Sequence, residues 1–188
     1  MKRKRIKSKI YPITYYVSEK IKIFFDADGF VLFPDGSRYK GGLKNGMPEG
    51  EGKIVYADDT TYSGEWLNGN SNGFGEMVLP DGSHYKGYWK RGRYQGVGEY
   101  TSRNGARYDG EWLAGEYHGE GSFRWPEGSI YKGQWRNCKE NGHGVFQGMS
   151  GIVYEGEWVN GKYNGRGKLK TLDGITYEGI FRNGRFQG

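Results

Sequence analysis

The stretch Tyr108-Asp-Gly-Glu-Trp112 decides the fold, because close copies of it recur along the chain at a fixed interval of 23 residues. Each copy begins with a tyrosine. These tyrosines are Tyr39, Tyr62, Tyr85, Tyr108, Tyr131, Tyr154 and Tyr177. A glycine stands two residues after each of them, and a tryptophan stands four residues after all but the outermost two, where Leu43 and Phe181 replace it. A period of this length is typical of a protein built from repeated supersecondary units.

Within each repeat the residues alternate as they do in β-strands. In the segment 62–67, tyrosine, glycine and tryptophan occupy every second position, and serine, glutamate and leucine occupy the others. A Gly-x-Gly pair follows in the same phase, first as Gly50 and Gly52. This alternation predicts strands with one packed and one solvated face. We therefore predict an all-β fold, an elongated antiparallel meander of hairpins in a single open sheet.

Strand parity predicts the first turn of each repeat. Opposed residues of an antiparallel pair share a face, so Tyr62 has to face Ile54, which requires a three-residue loop over 57–59. The equivalent Pro34-Asp-Gly36 favours a type I turn followed by a glycine in the left-handed region. Asp59 takes the place of that glycine, so we expect its hairpin to be the least stable.

Parity also predicts the second turn. A four-residue loop over 68–71 would put Trp66 between Gly50 and Gly73 of the neighbouring strands. Glycines at such positions would form a backbone shelf on which the aromatic rings lie, because a side chain there would lift the rings away.

The Tyr-x-Gly-x-Trp, Asn-Gly, Gly-x-Gly and Asp-Gly elements, repeated in phase, resemble MORN (membrane occupation and recognition nexus) repeats. The resemblance covers 27–188, with seven repeat tyrosines, and departs from the pattern at positions such as Cys138 and Asp59. It implies an open array of MORN repeat hairpins. It also implies a non-catalytic scaffold in cytoskeletal, ciliary or flagellar assemblies, with lipid binding at a membrane periphery and a regulatory role in a larger enzyme as alternatives.

The first 26 residues differ in charge from the rest. They hold eight of the 28 Lys and Arg residues but only two of the 22 Asp and Glu residues. The whole net charge of +6 therefore lies in this segment. β-Branched and aromatic residues over 10–25 predict one or two strands that cap the array. We predict a basic N-terminal tail with capping strands over 1–26 and the repeat array over 27–188.

The side chains argue against catalysis. His84, His118 and His143 fall at different places in the repeat, so they are not expected to come together. Cys138 is the only cysteine, which removes disulfides and the usual zinc-ligand spacings. We predict no catalytic residue, metal, cofactor or enzyme activity. We also predict no specific nucleic-acid binding, because the aromatic face has no interleaved basic residues. The lack of a membrane-spanning apolar run or secretory signal favours a cytoplasmic protein.

The strongest candidate site is the face that carries the repeat tyrosines and tryptophans. A single sheet cannot cover its own face, so these rings would form a large apolar patch of the kind that marks an interaction surface. An amphipathic helix of a protein partner is the expected occupant. The candidate residues are Tyr62, Trp66, Tyr85, Trp89, Tyr108, Trp112, Tyr131, Trp135, Tyr154 and Trp158. The alternative interpretation is that the rings form the core of the sheet.

Further aromatic residues recur between the Asn-Gly-type turns and the Gly-x-Gly pairs. They are Tyr94, Tyr117, Tyr163 and Phe186. We predict that they form a second aromatic line along one rim, with loop packing as the alternative. The last edge, Tyr177–Gly188, is expected to be open and to pair with a second copy in a homodimer.

Two sets of charged residues complete the candidates. The basic residues of the tail predict contact with an anionic lipid or an acidic protein, with nuclear import as a further alternative. They are Lys2, Arg3, Lys4, Arg5, Lys7 and Lys9. On the solvated face, Glu65, Glu111 and Glu157 recur at twice the repeat period. We expect them to pair with lysine or arginine across strands, and a cation site is the alternative.

Overall fold

The computed structural model describes residues 26–188, so the predicted tail and capping strands over 1–26 lie outside the described residues except for Asp26. The described residues contain β-strands and no helix. The strands are β1 Val31–Leu32, β2 Arg38–Lys44, β3 Met47–Val55, β4 Thr61–Leu67, β5 Asn70–Val78, β6 His84–Lys90, β7 Arg93–Thr101, β8 Arg107–Leu113, β9 Glu116–Arg124, β10 Ile130–Arg136, β11 Lys139–Gln147, β12 Val153–Val159, β13 Lys162–Lys170, β14 Thr176–Arg182 and β15 Arg185–Phe186.

These strands form an antiparallel meander in chain order, which confirms the predicted all-β fold. The described chain divides into two compact units, residues 26–103 and residues 104–188. The first unit contains β1 to β7 and the second contains β8 to β15. Inside each unit, strands that follow one another in the sequence are paired.

The first turn of each repeat has the predicted geometry. Ile54 faces Tyr62 across β3 and β4, and the chain reverses through the three-residue loop 57–59. The Asp59 N–H donates a 3.0 Å hydrogen bond to the carbonyl oxygen of Tyr56. Asp59 has φ 64°, where the equivalent Gly36 has φ 85°. The left-handed residue expected after the type I turn is therefore present, even where it is an aspartate.

The predicted four-residue loop over 68–71 is wrong. Leu67 pairs directly with Asn70, so the turn has only two central residues, Asn68 and Gly69, both with positive φ. Such a turn matches the right-handed twist of the strands it joins. Trp66 consequently faces Ser71 and not Gly73, although it faces Gly50 on its other side as predicted. The additional residues of β5 are accommodated in a β-bulge between positions 64 and 66 of β4.

The core lies on the face of the strands that carries the repeat aromatic residues, hereafter the ring face; the opposite face is the outer face. The first six repeat tyrosines are fully buried, whereas the last, Tyr177, is 37% exposed. The predicted glycine shelf is confirmed, because Gly64 lies between Gly52 and Gly75 on the neighbouring strands. A Cβ atom at Gly75 would lie 2.6 Å from Cε2 of Tyr62, so only glycine lets the ring lie flat.

Candidate protein-interaction surfaces

The ring face is held together by a ladder of tyrosines and tryptophans. The Tyr62 ring meets Trp66 of its own repeat and Trp89 of the next repeat, each at 5.0 Å between centroids and nearly perpendicular. Tyr131 meets Trp135 and Trp158 in the same way, also at 5.0 Å. Edge-to-face contacts of this kind stabilise a pair beyond the apolar area it buries. Within each unit, such a tyrosine therefore couples its own repeat to the next.

The polar atoms of the ladder are also paired. The Tyr62 hydroxyl donates a 2.9 Å hydrogen bond to the carbonyl oxygen of Glu65, and Trp66 Nε1 donates one of 3.1 Å to that of Gly52. The other repeat tyrosines from Tyr39 to Tyr154 are also fully buried, and burial raises the pKa of Tyr39 to about 12. A paired donor on each ring allows complete burial without an unsatisfied polar group.

Burial changes the interpretation of the ten predicted ring-face residues. The five tyrosines, Tyr62, Tyr85, Tyr108, Tyr131 and Tyr154, are fully buried, and the five tryptophans are 2–5% exposed. The expectation of an uncovered aromatic stripe is therefore wrong, because rings of adjacent repeats cover one another. These side chains form the core of the sheet, which was the alternative interpretation of the aromatic pattern. Direct contact between them and a partner stays a prediction, for which little ring surface is available.

The predicted rim residues pack against the ladder. Tyr94, Tyr117 and Tyr163 stack face to face on the repeat tyrosine of the same hairpin, with centroid distances of 3.7 to 3.8 Å. Tyr94 and Tyr117 are 2% and 6% exposed, so they do not form an exposed line. Phe186 is exposed and contacts Phe181 at 5.3 Å. Packing, the alternative considered for these residues, accounts for the three tyrosines.

The glutamates that recur at twice the repeat period accept backbone hydrogen bonds across a strand pair. The bonds are Phe74 N to Glu65 Oε1 at 2.6 Å, Glu120 N to Glu111 Oε1 at 2.9 Å and Arg166 N to Glu157 Oε1 at 2.8 Å. Gln134 accepts the same bond from His143 N at 3.0 Å. This backbone contact replaces the expected pairing with lysine or arginine. Its function is to satisfy an N–H at the β-bulge.

Tyr88 on β6 occupies the position equivalent to these glutamates. Its side chain has no carboxylate with which to accept a backbone hydrogen bond in the same way. Its ring instead contacts Phe74 on β5 at 5.5 Å. Val97 on β7 lies beside Tyr88, because the glycines next to them in the sequence, Gly98 and Gly87, are paired. Phe74, Tyr88 and Val97 are 44%, 52% and 58% exposed. These three residues form an apolar cluster on the outer face of the first unit, hereafter the outer cluster.

The sequence analysis did not identify the outer cluster, although the repeat alignment contains its signal. The positions equivalent to Tyr88 are Gly42, Glu65, Glu111, Gln134, Glu157 and Ile180. Those equivalent to Phe74 and Val97 are Glu51, Glu120, His143 and Arg166. Apolar residues therefore replace polar ones at three adjacent outer-face positions. Elsewhere the outer face carries exposed charged residues, including Lys86, Glu111, Lys132, Glu155 and Glu178. It also carries single exposed apolar residues, namely Leu67, Val78, Leu113, Val159 and Ile180.

A cleft of about 300 Å³ opens in the second unit beside Glu140. Glu140 occupies the position where Tyr94, Tyr117 and Tyr163 stack in other hairpins, and it faces Trp135 across β10 and β11. It is only 1% exposed. The cleft is lined by Glu140 together with Trp125, Phe146, Trp158, Tyr163 and Lys162. We refer to it as the Glu140 cleft.

The described residues offer no group of side chains for metal chemistry. Among residues 26–188, no three His, Cys, Asp or Glu side chains come together in a way that could hold a metal ion. His84 lies on β6, His118 on β9 and His143 on β11, so the structure does not bring the three histidines to one site. In the same part of the chain, no helix has the length and apolar character needed to cross a membrane.

Solved structures to which this chain is similar include two Drosophila melanogaster domains, and the likeness of fold rests on the first of them. The SAS-4 (dCPAP) TCP domain, in complex with a proline-rich motif of Ana2 (dSTIL), is 13% identical with a TM-score of 0.50, over 92% of this chain and 99% of that chain. The Sas-4 TCP10c domain is 13% identical with a TM-score of 0.44, over 83% and 96% of the two chains. At this identity the first likeness concerns the fold alone.

The sequence itself was compared with curated proteins and with family models. No curated protein matches it. The family model for the MORN repeat matches residues 39–61, 62–84, 85–107, 108–130, 131–153, 154–175 and 177–188. These matches cover most of the chain in consecutive units that begin at the repeat tyrosines. The chain belongs to the MORN-repeat family.

Proposed function

We propose that this protein is a non-catalytic scaffold that binds a protein partner, and that the outer cluster is the principal contact. The observation that carries the proposal is the exposure of Phe74, Tyr88 and Val97, at 44–58%. The equivalent positions on other strands carry charged or polar side chains in most repeats. Adjacent exposed apolar side chains with a polar surround mark an interaction surface.

The geometry of the outer cluster favours a partner segment with apolar side chains on one side. The three residues lie on adjacent strands and form a row across the strand direction. The apolar face of an amphipathic helix suits such a row, because side chains three and four residues apart share one face. The charged neighbours Lys86 and Glu76, which face each other across β5 and β6, provide a polar surround.

The solved structure with the similar fold supports a protein partner. From the MORN repeats we propose that this partner belongs to a cytoskeletal or ciliary assembly. The Drosophila domain is in complex with a proline-rich motif of another protein. This resemblance favours recognition of a short segment by an antiparallel meander. We also propose, from the sequence, that the edge at Tyr177–Gly188 pairs with a second copy of the chain.

Quantitative affinity purification from cells tests the scaffold proposal. Full-length protein is compared with the double variant Phe74→Glu and Tyr88→Glu. Both substitutions use a residue that the chain already carries at equivalent positions, at Glu51 and Glu65, so the strands are expected to fold. The double variant Ala57→Glu and Ser63→Glu adds the same charge at exposed positions outside the outer cluster. Loss of specific partners with the first variant and their retention with the second supports the proposal, whereas equal recovery contradicts it.

Membrane contact through the tail is a second candidate, favoured by the location of the whole net charge of +6 within residues 1–26. Clustered Lys and Arg residues contribute about 1 kcal/mol each near an anionic bilayer. The test is co-sedimentation of the full chain with phosphoinositide-containing vesicles, compared with a chain in which Lys2, Arg3, Lys4, Arg5, Lys7 and Lys9 are glutamine. Binding at physiological salt that the substitutions remove supports the candidate. Failure of the wild-type chain to sediment contradicts it.

A further inference from the structure

A row of basic side chains crosses the second unit beside its two-residue turns. Arg136 on β10 faces Lys139 on β11, and across the last hairpin Arg182 on β14 faces Arg185 on β15. Lys162 on β13 lies between these two pairs in the order of the strands. All five side chains are exposed. We refer to these five residues as the basic row.

The two pairs of the basic row bring like charges together on the outer face. Arg136 follows the buried Trp135 and Arg182 follows the buried Phe181, so alternation along the strand directs both arginines away from the core. Residues that face each other in an antiparallel pair share one face of the sheet. Like charges in this arrangement destabilise the pair. A bound anionic group would relieve the repulsion within each pair.

Another repeat shows how this position is neutralised within the chain. Lys44 is the equivalent of Arg136, and its Nζ atom lies 3.9 Å from Oε1 of Glu49. The equivalents of Glu49 in the two hairpins of the basic row are the neutral residues Asn141 and Gln187. Within residues 26–188, no member of the basic row forms an ion pair with an acidic side chain. The chain therefore carries these charges without the acidic partner that it supplies to Lys44.

The surroundings of the basic row favour a narrow acidic ligand. Glu155 and Glu157 on β12 and Glu178 on β14 are exposed on the same face. A broad anionic surface such as a bilayer would bring its charges against these carboxylates too, whereas a single chain can follow the row alone. Adjacent strands lie about 4.8 Å apart, so the row is about 24 Å long from β10 to β15. An extended segment of about seven residues covers this length.

We propose that the basic row binds a carboxylate-rich extended segment of a protein partner. The proposal rests on the proposed function, because a partner has to supply the segment. Complementary charge speeds association and rejects partners whose charge is wrong, while each exposed ion pair adds little affinity. The basic row thereby gives the second unit a charge-selective contact, distinct in chemistry from the apolar outer cluster of the first unit.

The test measures binding of a short acidic peptide to the full chain. The six basic tail residues are replaced by glutamine, so that the tail does not attract the probe. The probe is fluorescein-labelled (Glu-Ser)4, and fluorescein-labelled (Gln-Ser)4 is the neutral control. Fluorescence anisotropy is expected to show saturable binding of the acidic probe that weakens as salt is added. The neutral probe is expected to bind at least about tenfold more weakly, because it forms none of the ion pairs.

Two double variants assign the binding to the basic row. Arg136→Gln with Lys139→Gln is expected to weaken binding about threefold, and Arg182→Gln with Arg185→Gln to do the same. The fold is expected to persist, since leucine or valine occupies the position of Arg136 in three other repeats. The control, Arg124→Gln with Lys170→Gln, removes the same charge at exposed strand ends beside the first turns of the same unit. It is expected to change binding less than about twofold.

The outcomes separate this proposal from its alternatives. No saturable binding, equal binding of the neutral probe, or equal weakening by the control variant overturns it. Sedimentation with phosphatidylserine vesicles that depends on the basic row, without binding of the acidic probe, assigns the row to a membrane and also overturns it. The peptide titration needs no native partner, so its failure is distinguishable from a failure of the affinity purification that tests the proposed function.

Discussion

The indole Nε1 of Trp89 donates a 3.1 Å hydrogen bond to the carbonyl oxygen of Gly75, a residue of the adjacent strand. The bond is possible because Gly75 has no side chain between its backbone and the aromatic rings. The same relationship joins Trp158 to Gly144 at 3.1 Å in the second unit. In the repeats that carry it, the tryptophan thus combines apolar burial, ring contacts and a buried hydrogen bond.

Substitution of Trp89 by alanine is expected to lower the free energy of unfolding by about 3–5 kcal/mol, because it removes a buried ring and leaves a cavity. The control is Tyr88→Ala, the adjacent residue, which is 52% exposed. Its effect is expected to stay within about 0.5 kcal/mol, as for most surface substitutions. Chemical denaturation followed by tryptophan fluorescence and circular dichroism measures both. Equal effects of the two substitutions would contradict the assignment of the ring face as core.

Glu111 tests the role of the recurrent glutamates. Glu111→Ala is expected to lower the free energy of unfolding by about 1 kcal/mol, because the N–H of Glu120 loses the acceptor that now lies at 2.9 Å. Glu111→Gln is expected to be neutral, since Gln134 accepts the equivalent bond from His143. If the glutamates acted through charge, as an ion pair or a cation site would require, glutamine and alanine would be equally disruptive.

Thr60 provides a stabilising substitution. Its buried hydroxyl has no hydrogen-bond partner within the described part of the chain. In the next repeat Ser83 Oγ accepts a hydrogen bond from Arg103 N at 2.9 Å. The residue equivalent to Arg103 for Thr60 is Pro80, which has no N–H. Thr60→Val is therefore expected to raise the free energy of unfolding by about 1 kcal/mol.

The matched control for Thr60 is Ser83→Ala, which leaves the N–H of Arg103 without its acceptor and is expected to destabilise by about 1 kcal/mol. Thermal and urea unfolding of the two variants gives the comparison. A loss of stability in Thr60→Val would show that its hydroxyl has a partner.

The buried tyrosines predict a specific response to alkaline pH. The pKa of Tyr39 is raised from its ordinary value of 10.0 to about 12, mainly by burial. A pKa that is higher in the folded state than in the unfolded state adds stability, which is fully present below pH 10. That stability is lost as the pH rises from 10 to about 12. The free energy of unfolding should fall over this interval, together with a delayed rise in phenolate absorbance. Titration of all tyrosines near pH 10 in folded protein would contradict the buried ladder.

Local rules predicted much of the fold. The pairing of Ile54 with Tyr62 follows from strand parity alone, because a one-residue shift would place the aromatic residue on the wrong face. The second turn could not be obtained in this way. Parity is satisfied both by a four-residue loop and by a two-residue turn with a β-bulge, and only the geometry of Asn68 and Gly69 selects the latter.

The candidate sites were less predictable. Alternation assigns Tyr62 and Trp89 to one face but does not show that each ring covers the other. The exposure of each ring therefore depends on contacts between repeats. These contacts cannot be deduced from the residue pattern within one repeat. The outer cluster and Glu140 depend on departures from the repeat. Such departures have a clear meaning only when the structure shows which face and which neighbours they have.

Site-specific photo-crosslinking in cells tests the central claim most directly. Benzoylphenylalanine replaces Phe74 or Tyr88 in the full chain, and Lys132, an exposed outer-face residue of the second unit, is the control position. The account predicts a crosslinked protein that is common to positions 74 and 88 and absent at 132. The same products at all three positions, or none at 74 and 88, would contradict the assignment of the outer cluster as the partner-binding surface.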